Sequence, residues 1–371
     1  MKLEKLLRKS YVNLRGWNTK AKLVVIESDD WGSIRMKSHK TVQKLYSENI
    51  PVEYSQFTPF DGLERVEDIE ALYEVLSSVK DSRGNFACIT PLVLTANPSF
   101  DRIRSNGFEK YEYESITETF SNYNEDGVID LWNNFGIKEN LFYPQFHGRE
   151  HLNHTRWMKA IKQQDSLARK AFEQESILGI LLERSSQKDN YMAAFEAINF
   201  EEQDAVDRSC KIGLEEFERL FGYKSISAMP SQSIISDKSI KTLISSEVKF
   251  LQCGQHFVPT FDSLDKRDYL WGHQDTNGML YWRRNVNFEP YQNINKDHID
   301  ESLAEIALAF RFGKPAVISS HRINFTSRVT TSIRDVSLKQ LKSLLKVIVR
   351  KWPDVQFISS AKLAEMILKT K

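Results

Sequence analysis

The sequence predicts an α/β fold, a distorted (β/α) barrel of seven or eight strands with a helical insertion, from three observations. Short apolar segments rich in β-branched residues recur along the 371-residue chain. Amphipathic patterns with helical spacing fall between these segments. The alternation repeats about eight times, and so many strand–helix repeats favour a closed barrel of parallel strands over an open sheet.

The first predicted strand, residues 22–28 (KLVVIES), ends at Asp29-Asp30-Trp31-Gly32. Its four consecutive apolar residues, 23–26, do not alternate with polar ones, which is typical of a buried strand. Further strands are predicted at residues 85–94, 141–147, 224–229, 249–253, 280–286, 316–320 and 355–359. Helices are predicted at residues 39–48, 66–80, 207–221, 297–312 and 337–351.

Two stretches are longer than ordinary connections between a strand and a helix. Residues 152–222 hold several helical patterns between two strands, which predicts a helical insertion that covers a pocket or packs against a partner. Residues 101–130, rich in Glu and Tyr, form a second excursion. Since there is no internal repeat and no low-complexity linker, we expect residues 1–371 to form one decorated domain.

The charge balance and the cysteine content exclude several classes of protein. With 51 Lys and Arg against 50 Asp and Glu, the formal net charge is +1, so nucleic acid is not an expected partner. Cys88, Cys210 and Cys253 are too few and too scattered for a disulfide framework or a thiolate metal site. No window approaches 18 continuous apolar residues, so no transmembrane segment is expected.

The first 18 residues carry basic side chains throughout, unlike an export signal, which needs a continuous apolar stretch. Their leucine spacing predicts an amphipathic helix. That helix either packs on the domain or makes peripheral contact with an anionic membrane face. We therefore expect a cytoplasmic protein, and the oligomeric state stays open.

Chemically reactive side chains follow the predicted strand ends, where parallel barrels place their working residues. Two histidines, His147 and His151, together with one carboxylate of the Asp29-Asp30 pair, suit a borderline divalent metal such as zinc. Such a metal lowers the pKa of bound water toward about 7, and the second carboxylate can accept the proton. His321, approaching from the far side, is a candidate general acid. Arg284 or Arg283 is a candidate to orient the base carboxylate.

This constellation resembles the polysaccharide deacetylases, the NodB-type carbohydrate esterases, which have a distorted (β/α) barrel. In that family the first Asp of an Asp-Asp pair is the base and the second binds the metal, together with two histidines of a His-x-x-x-His motif. The resemblance therefore implies Asp29 as the base, with Asp30, His147 and His151 as metal ligands. It also implies that His321 is the catalytic acid.

The chain departs from the family pattern at several positions. Trp31 intervenes before Gly32, Gly148 replaces a Ser or Thr, and the strand end at Ala228-Met229-Pro230-Ser231 lacks the arginine of the third motif. Arg284 is the expected replacement for that arginine. The strand end at Ile318-Ser319-Ser320-His321 is a loose match to the last motif. These departures suggest a divergent branch that resembles the deacetylase-like proteins of bacterial surface-polysaccharide gene clusters.

The resemblance implies a metal-dependent hydrolase that removes an N-acetyl group from a sugar or glycan precursor in surface-polysaccharide metabolism. The substrate partner is then a carbohydrate. Side chains beside the proposed catalytic residues are candidate substrate contacts. They are Trp31, Arg149, Arg322 and Asn324.

Three other interpretations compete with the deacetylase. The segment from His147 to His151 also matches His-x-x-Glu-His, the inverted zinc-peptidase signature with Glu150 as base, but that signature needs one continuous helix. A catalytically inactive barrel could bind carbohydrate through Trp31, Trp132 and Trp282. Metal-free glycoside hydrolysis by Glu27 and Asp29 is disfavoured, because residues two apart on one strand point to the same face.

Overall fold

A parallel sheet forms the centre of the computed structural model, which describes residues 10–50, 52–178, 191–254, 256–260 and 263–370. Its order is β8-β7-β6-β5-β2-β1-β10-β9, with β11 beside β1, and β3 and β4 form a separate antiparallel pair. The strands are β1 (Leu23–Trp31), β2 (Ile89–Leu94), β3 (Ala96–Pro98), β4 (Tyr113–Ser115), β5 (Gln145–Gly148), β6 (Ser227–Ala228), β7 (Phe250–Cys253), β8 (Leu280–Arg283), β9 (Val286–Asn287), β10 (Ala316–His321) and β11 (Gln356–Phe357). The predicted α/β class and distorted barrel are confirmed.

The two ends of the sheet are joined by a short piece of chain. Strands β8 and β9 lie at opposite ends of the strand order, yet only Arg284 and Asn285 separate them. The Arg284 amide donates to the Cys253 carbonyl of β7 at 2.8 Å, and the Asn285 amide donates to the Val317 carbonyl of β10 at 3.1 Å. One segment therefore hydrogen-bonds to both edges and curls the sheet, which places Arg284 at the seam of the barrel.

Helices connect and cover the strands. The α-helices are His39–Ser47, Val66–Ser77, Phe100–Ser105, Ile116–Asn122, Gly127–Asp130, His154–Ile161, Leu167–Phe172, Phe200–Phe221, Asp237–Ser245, Ile299–Arg311, Thr331–Lys351 and Ser360–Leu368, and Leu131–Ile137 is a π-helix. The helix expected at 207–221 begins earlier because the Asn199 side chain accepts a hydrogen bond from the Glu202 amide and caps it there. The strand expected at 224–229 is only two residues long.

Both faces of the sheet are buried, which explains why β1 is uniformly apolar before its last residues. Val24 and Ile26 pack into the largest apolar cluster. Val25 points the other way, into a cluster with Trp271 and Trp282. Adjacent strand residues point to opposite faces, so only a strand covered on both sides keeps such a sequence.

The insertion predicted at residues 152–222 contains three of these α-helices, and residues 179–190 of it lie outside the described part of the chain. Trp157, Phe172 and Ile103 belong to a separate apolar cluster that joins the insertion to the excursion before β4. The insertion also reaches the barrel, where the Ala194 amide donates to the Ser231 hydroxyl at 2.8 Å.

The predicted helix at residues 1–18 is only partly described, because residues 1–9 lie outside the described part of the chain. Residues 10–14 are helical, and the Trp17 amide donates to the Trp271 carbonyl at 2.7 Å. Among the described residues, no helix combines the length and apolar character needed to cross a membrane.

Candidate active site

A bulge at the end of β1 separates the side chains of Asp29 and Asp30. The pairing of β1 with β10 is regular up to Asp29, whereas its pairing with β2 shifts between Ser28 and Trp31. Asp30 has a left-handed backbone with φ of 73°, and a bulge of this kind redirects a side chain. Gly32 follows with φ of 83°, and a Cβ there would lie 2.8 Å from the Leu94 carbonyl oxygen. Only glycine therefore fits directly after this turn.

Asp30, His147 and His151 form a buried cluster suited to a metal ion. Asp30 Oδ1 lies 3.2 Å from His147 Nε2 and 3.5 Å from His151 Nε2. All three ligand atoms lie within 4.8 Å of one another. A tetrahedral zinc with bonds of about 2.0–2.1 Å separates its ligands by about 3.3 Å, so these two distances fit such an ion.

Each of the two histidines turns its Nε2 toward Asp30. His147 Nδ1 donates to the Met229 carbonyl at 2.6 Å, an arrangement that makes Nε2 the nitrogen available to a metal. Burial lowers the pKa of His151 to about 3, despite the opposing effect of Asp30. His151 Nδ1 has no hydrogen-bond partner among the described residues. His151 is therefore neutral at physiological pH, as a metal ligand must be.

Arg35 holds the other oxygen of Asp30. Its Nη2 lies 3.1 Å from Asp30 Oδ2, and its Nε lies 2.9 Å from Asp61 Oδ2. Burial alone would raise the pKa of Asp30, but the opposing charge of Arg35 favours the carboxylate, and that pKa lies well below its usual range. Asp30 is therefore ionised with Oδ1 left for a metal.

This ion network continues away from the cluster. Arg322 is fully buried and pairs with Asp61 and Glu64, each at 2.8 Å. With Asp30 and Arg35, the network contains three carboxylates and two guanidinium groups. Its formal charge is −1 when all three carboxylates are ionised.

Asp29 is held from the other side of the barrel by Arg284. Arg284 Nη1 and Nη2 donate to the two carboxylate oxygens of Asp29, each at 2.6 Å, and Arg284 Nε donates to Glu27 at 2.7 Å. Burial opposes ionisation of Asp29, but Arg284 outweighs it and lowers its pKa. Glu27 is itself fully buried and accepts hydrogen bonds from Gln252, Trp282 and Ser360.

His321 lies beside Asp29 rather than across the barrel from it. The two residues are partners in the register of β1 and β10, and His321 Nε2 is 3.7 Å from Asp29 Oδ2. His321 Nδ1 is hydrogen-bonded to Glu289 at 2.6 Å. Burial opposes the charged ring, but Glu289, followed by Asp29, raises the pKa of His321 to about 9. The imidazole is therefore a cation near neutral pH, with Nε2 facing Asp29.

The combined charge of the site fits a divalent cation. The second network has three carboxylates, Glu27, Asp29 and Glu289, against Arg284 and the His321 cation, which leaves a formal charge of −1. With every carboxylate ionised, the two networks together have a formal charge of −2, although burial raises the pKa of Asp61 and of Glu64 and opposes that state. Buried charge is costly unless it is compensated, and a divalent ion among the Asp30 cluster would neutralise it.

A cavity of about 350 Å³ brings these groups to one surface. Asp29, Asp30, both histidines of the cluster, Arg284 and His321 all line it. Phe57, Met192 and Met229 supply an apolar part of its wall. This volume lies within the usual range for small-molecule sites.

The structure places the four expected substrate contacts in the interior. Trp31 is 0% exposed and packs against Trp132, Phe142 and Phe325. An indole so enclosed offers no face to a sugar, so the expectation of a Trp31 contact is corrected. Arg322 is corrected for the same reason, since it is 0% exposed and its guanidinium binds Asp61 and Glu64.

Arg149 and Asn324 are also occupied within the protein. Arg149 is buried, pairs with Glu150 through Nε and stacks over the Tyr113 ring. Asn324 is fully buried and donates to Glu289 at 2.7 Å. Neither lines the cavity, so both expectations are corrected, and Asn324 instead positions the carboxylate that holds His321.

The geometry required by the peptidase alternative is absent from this segment. His147 lies in β5, Gly148 has φ of 135°, and His151 follows in a loop rather than one turn along a helix. Glu150 accepts hydrogen bonds from Arg149 and from the Tyr111 hydroxyl, and it does not line the cavity. The matching spacing therefore arises from a strand end and its loop.

Sequence reasoning did not identify Glu289 or Arg35 as site residues. Glu289 follows β9, a two-residue strand, and Arg35 lies in a segment without regular structure. The Met229 carbonyl that orients His147 is a backbone group and has no sequence signal. The position of Glu289 two residues beyond Asn287, at a strand end of the same barrel edge, is the one signal that pointed toward it.

No protein-family model matches the chain, and no curated protein matches it by sequence. Solved structures match it at low identity. One from Parabacteroides distasonis, provisionally described as a glycoside hydrolase/deacetylase, has a TM-score of 0.51 and 12% identity over 96% of this chain and 74% of that chain. This similarity concerns the fold.

Two other solved structures have lower TM-scores. One from Mycobacterium smegmatis, provisionally described as a polysaccharide deacetylase, gives a TM-score of 0.40 and 10% identity over 96% of this chain and 94% of that one. The 4-alpha-glucanotransferase of Thermococcus litoralis gives 0.49 and 9% identity over 94% of this chain. This chain spans only 40% of the length of the glucanotransferase.

Proposed function

We propose that this protein is a metal-dependent hydrolase that removes an N-acetyl group from a sugar or glycan precursor, in surface-polysaccharide metabolism, with zinc as its metal. One observation carries the proposal. A buried Asp/His/His cluster shares a 350 Å³ cavity with an arginine-held carboxylate and a cationic histidine. These are the parts that hydrolysis of an amide requires.

The chain's own residues divide the proton transfers. Asp30, His147 and His151 would hold the metal, which when bound would supply Lewis acidity for the carbonyl and for the attacking water. Asp29, fixed by the bidentate grip of Arg284, accepts a proton from the attacking water. His321 donates the Nε2 proton to the departing nitrogen. The C–N bond breaks, a C–O bond forms, and the products are acetate and the free amine.

Three groups act by positioning these residues. Arg35 holds Asp30 Oδ2, and the Met229 carbonyl fixes the tautomer of His147. Glu289 keeps His321 protonated and oriented. The apolar wall formed by Phe57, Met192 and Met229 suits the methyl end of an acetyl group.

Metal content is the first test. The purified protein is reconstituted with zinc, dialysed and analysed by mass spectrometry beside His147→Ala and a control, His39→Ala, which removes an exposed histidine outside the cluster. We expect about one equivalent of zinc in the wild type and the control, and none in His147→Ala. An absence of metal in the wild type after reconstitution would remove the hydrolytic mechanism and leave a carbohydrate-binding barrel as the leading interpretation.

Acetate release from N-acetylated sugars tests the reaction itself. Asp29→Asn should retain the zinc and lose acetate release, because the amide cannot accept the proton of water. Glu150→Gln should retain both, since Glu150 does not line the cavity. The reverse pattern, with Glu150→Gln inactive and Asp29→Asn active, would support the peptidase instead.

A further inference from the structure

A second cavity of about 550 Å³ lies beside the candidate active site. It is bounded by helix His39–Ser47, the turn at Pro290–Gln292 and the start of helix Thr331–Lys351. Six of its lining residues carry aromatic rings or amide groups. They are Tyr46, Phe60, Tyr291, Gln292, Asn293 and Asn295. The rest of the wall consists of aliphatic side chains and proline, two hydroxyl side chains and one histidine, namely Val42, Pro59, Ile294, Val329, Ile333, Thr330, Ser332 and His39. No Asp, Glu, Lys or Arg lines it among the residues that the structure describes.

A pair of aromatic rings separates this second cavity from the first. Phe57 lines the first cavity, and its ring lies 5.0 Å from His321 and 5.3 Å from Tyr291 between centroids. Tyr291 lines the second cavity. The loop that holds His321 through Glu289 continues directly into Gln292 and Asn293 on the second wall. The two cavities therefore lie on either side of the contact between Phe57 and Tyr291.

The composition of the second cavity indicates the chemistry of its ligand. Tyr46 and Phe60 are 45% and 42% exposed, which leaves large apolar faces in contact with water. Aromatic faces pack against the C–H faces of sugar rings, and amide side chains both donate to and accept from hydroxyl groups. The lack of charged lining disfavours phosphate or carboxylate ligands, which cationic side chains recognise. Aromatic platforms flanked by neutral amides thus fit uncharged sugar units.

We propose that the second cavity is a subsite for neutral sugar units, so that the ligand of this protein is an oligosaccharide that spans both cavities. The assignment of the first cavity as the place where the acetyl group leaves rests on the proposed function. The sugar-binding role of the second cavity rests on its own lining.

An array of neutral oligosaccharides, with N-acetylated members, tests the subsite through binding alone. The best binder is then titrated calorimetrically against the wild type, Phe60→Ala and Phe200→Ala. Phe200 is a matched control, since it is an 80% exposed phenylalanine that does not line this cavity. We expect Phe60→Ala to raise Kd about tenfold, which equals about 1.4 kcal/mol, and Phe200→Ala to leave it unchanged.

Asp30→Asn separates the subsite from the reaction. This variant should lose acetate release yet keep oligosaccharide binding that remains sensitive to Phe60→Ala. No binding of any neutral oligosaccharide, or equal Kd for Phe60→Ala and wild type, would overturn the subsite. Stronger binding of acyl chains than of sugars would also overturn it. Sugar binding without acetate release from any N-acetylated sugar would instead reject the proposed function and leave the subsite standing.

Discussion

Replacement of Glu289 by glutamine removes the charge that keeps His321 protonated while preserving the size of the side chain. His321 Nδ1 is 2.6 Å from Glu289 Oε1, and Glu289 is the strongest of the groups that raise the pKa of His321. Asn324 continues to hold residue 289 in either variant, because its amide can rotate to donate or accept. The substitution therefore changes the charge with little change in geometry.

The size of the effect follows from this single contact. A hydrogen bond to a charged group contributes about 1.5–3 kcal/mol, and one pKa unit corresponds to about 1.4 kcal/mol. Glu289→Gln should therefore lower the pKa of His321 from about 9 by about 1–2. Since a general acid works only when protonated, the alkaline limb of activity against pH should move to lower pH by the same amount.

Imidazole NMR measures this pKa directly. Nitrogen–proton correlation spectra are recorded against pH on chelator-treated protein, so that no metal charge contributes, and His321→Gln assigns the signal among the eight histidines. Glu74→Gln, an exposed carboxylate on helix Val66–Ser77, is the control and should leave the pKa of His321 unchanged. A pKa of His321 that stays near 9 in Glu289→Gln would refute the assignment of Glu289 as its charge partner.

Four further outcomes follow from buried charge and packing. The pKa of His321 is raised on folding, so its contribution to stability is complete below about pH 6.5 and is lost as pH rises through about 9. Urea unfolding measured against pH should show this loss of unfolding free energy in the wild type and a smaller loss in Glu289→Gln. Arg284→Met leaves Glu27 and Asp29 without their cation and should lower the free energy of unfolding by about 3–5 kcal/mol, and unchanged urea stability would contradict that pairing. Arg322→Met should lower the free energy of unfolding by a similar amount, because Asp61 and Glu64 would lose their cation. A thermal denaturation midpoint equal to that of the wild type would show that the two carboxylates are protonated. Trp31→Ala should lower the free energy of unfolding by about 3–5 kcal/mol, because it leaves a cavity in the aromatic core. The Kd for oligosaccharide, measured by calorimetry, should stay unchanged. A higher Kd in the folded variant would restore Trp31 as a ligand contact.

The sequence allowed the strand ends to be predicted because their signals are local. Residues 22–28 and 316–320 are apolar runs followed at once by polar residues, and the structure pairs them in parallel with Asp29 opposite His321. His147 and His151 also meet at Asp30 as their spacing predicted, because a strand end and a short loop bring both rings to one carboxylate.

Two of the predicted substrate contacts failed for local backbone reasons. Arg322 follows His321 and Trp31 follows Asp30, and each was expected to share the site of its neighbour. The backbone of His321 is extended, and the next side chain, Arg322, turns inward to Asp61. The left-handed backbone of Asp30 lies in a bulge, and Trp31 beyond it enters the aromatic core. Proximity in sequence to a site residue therefore does not by itself place a side chain in the site.

Arg35 and Glu289 lay beyond local prediction because their roles depend on long-range contacts. Glu289 meets His321 across 32 residues, and Arg35 meets Asp61 from a segment without regular structure. Neither contact has a fixed spacing from the motif residues. The helix bounds differ for a similar reason, since capping by Asn199 sets the start of helix Phe200–Phe221 outside its strongest apolar pattern.

The position of Arg284 links the closure of the barrel to the orientation of Asp29. Its backbone lies at the seam between the two ends of the sheet, where it hydrogen-bonds to Cys253, while its side chain crosses the interior to Asp29 and Glu27. The backbone of Arg284 is fixed at the seam, and its Nε is fixed by the buried carboxylate of Glu27. The side chain therefore has few other rotamers available. The bidentate contact with Asp29 is thus imposed by the way the sheet closes. The Asp29 carboxylate is therefore held in one orientation although no arginine lies near Met229 in the sequence.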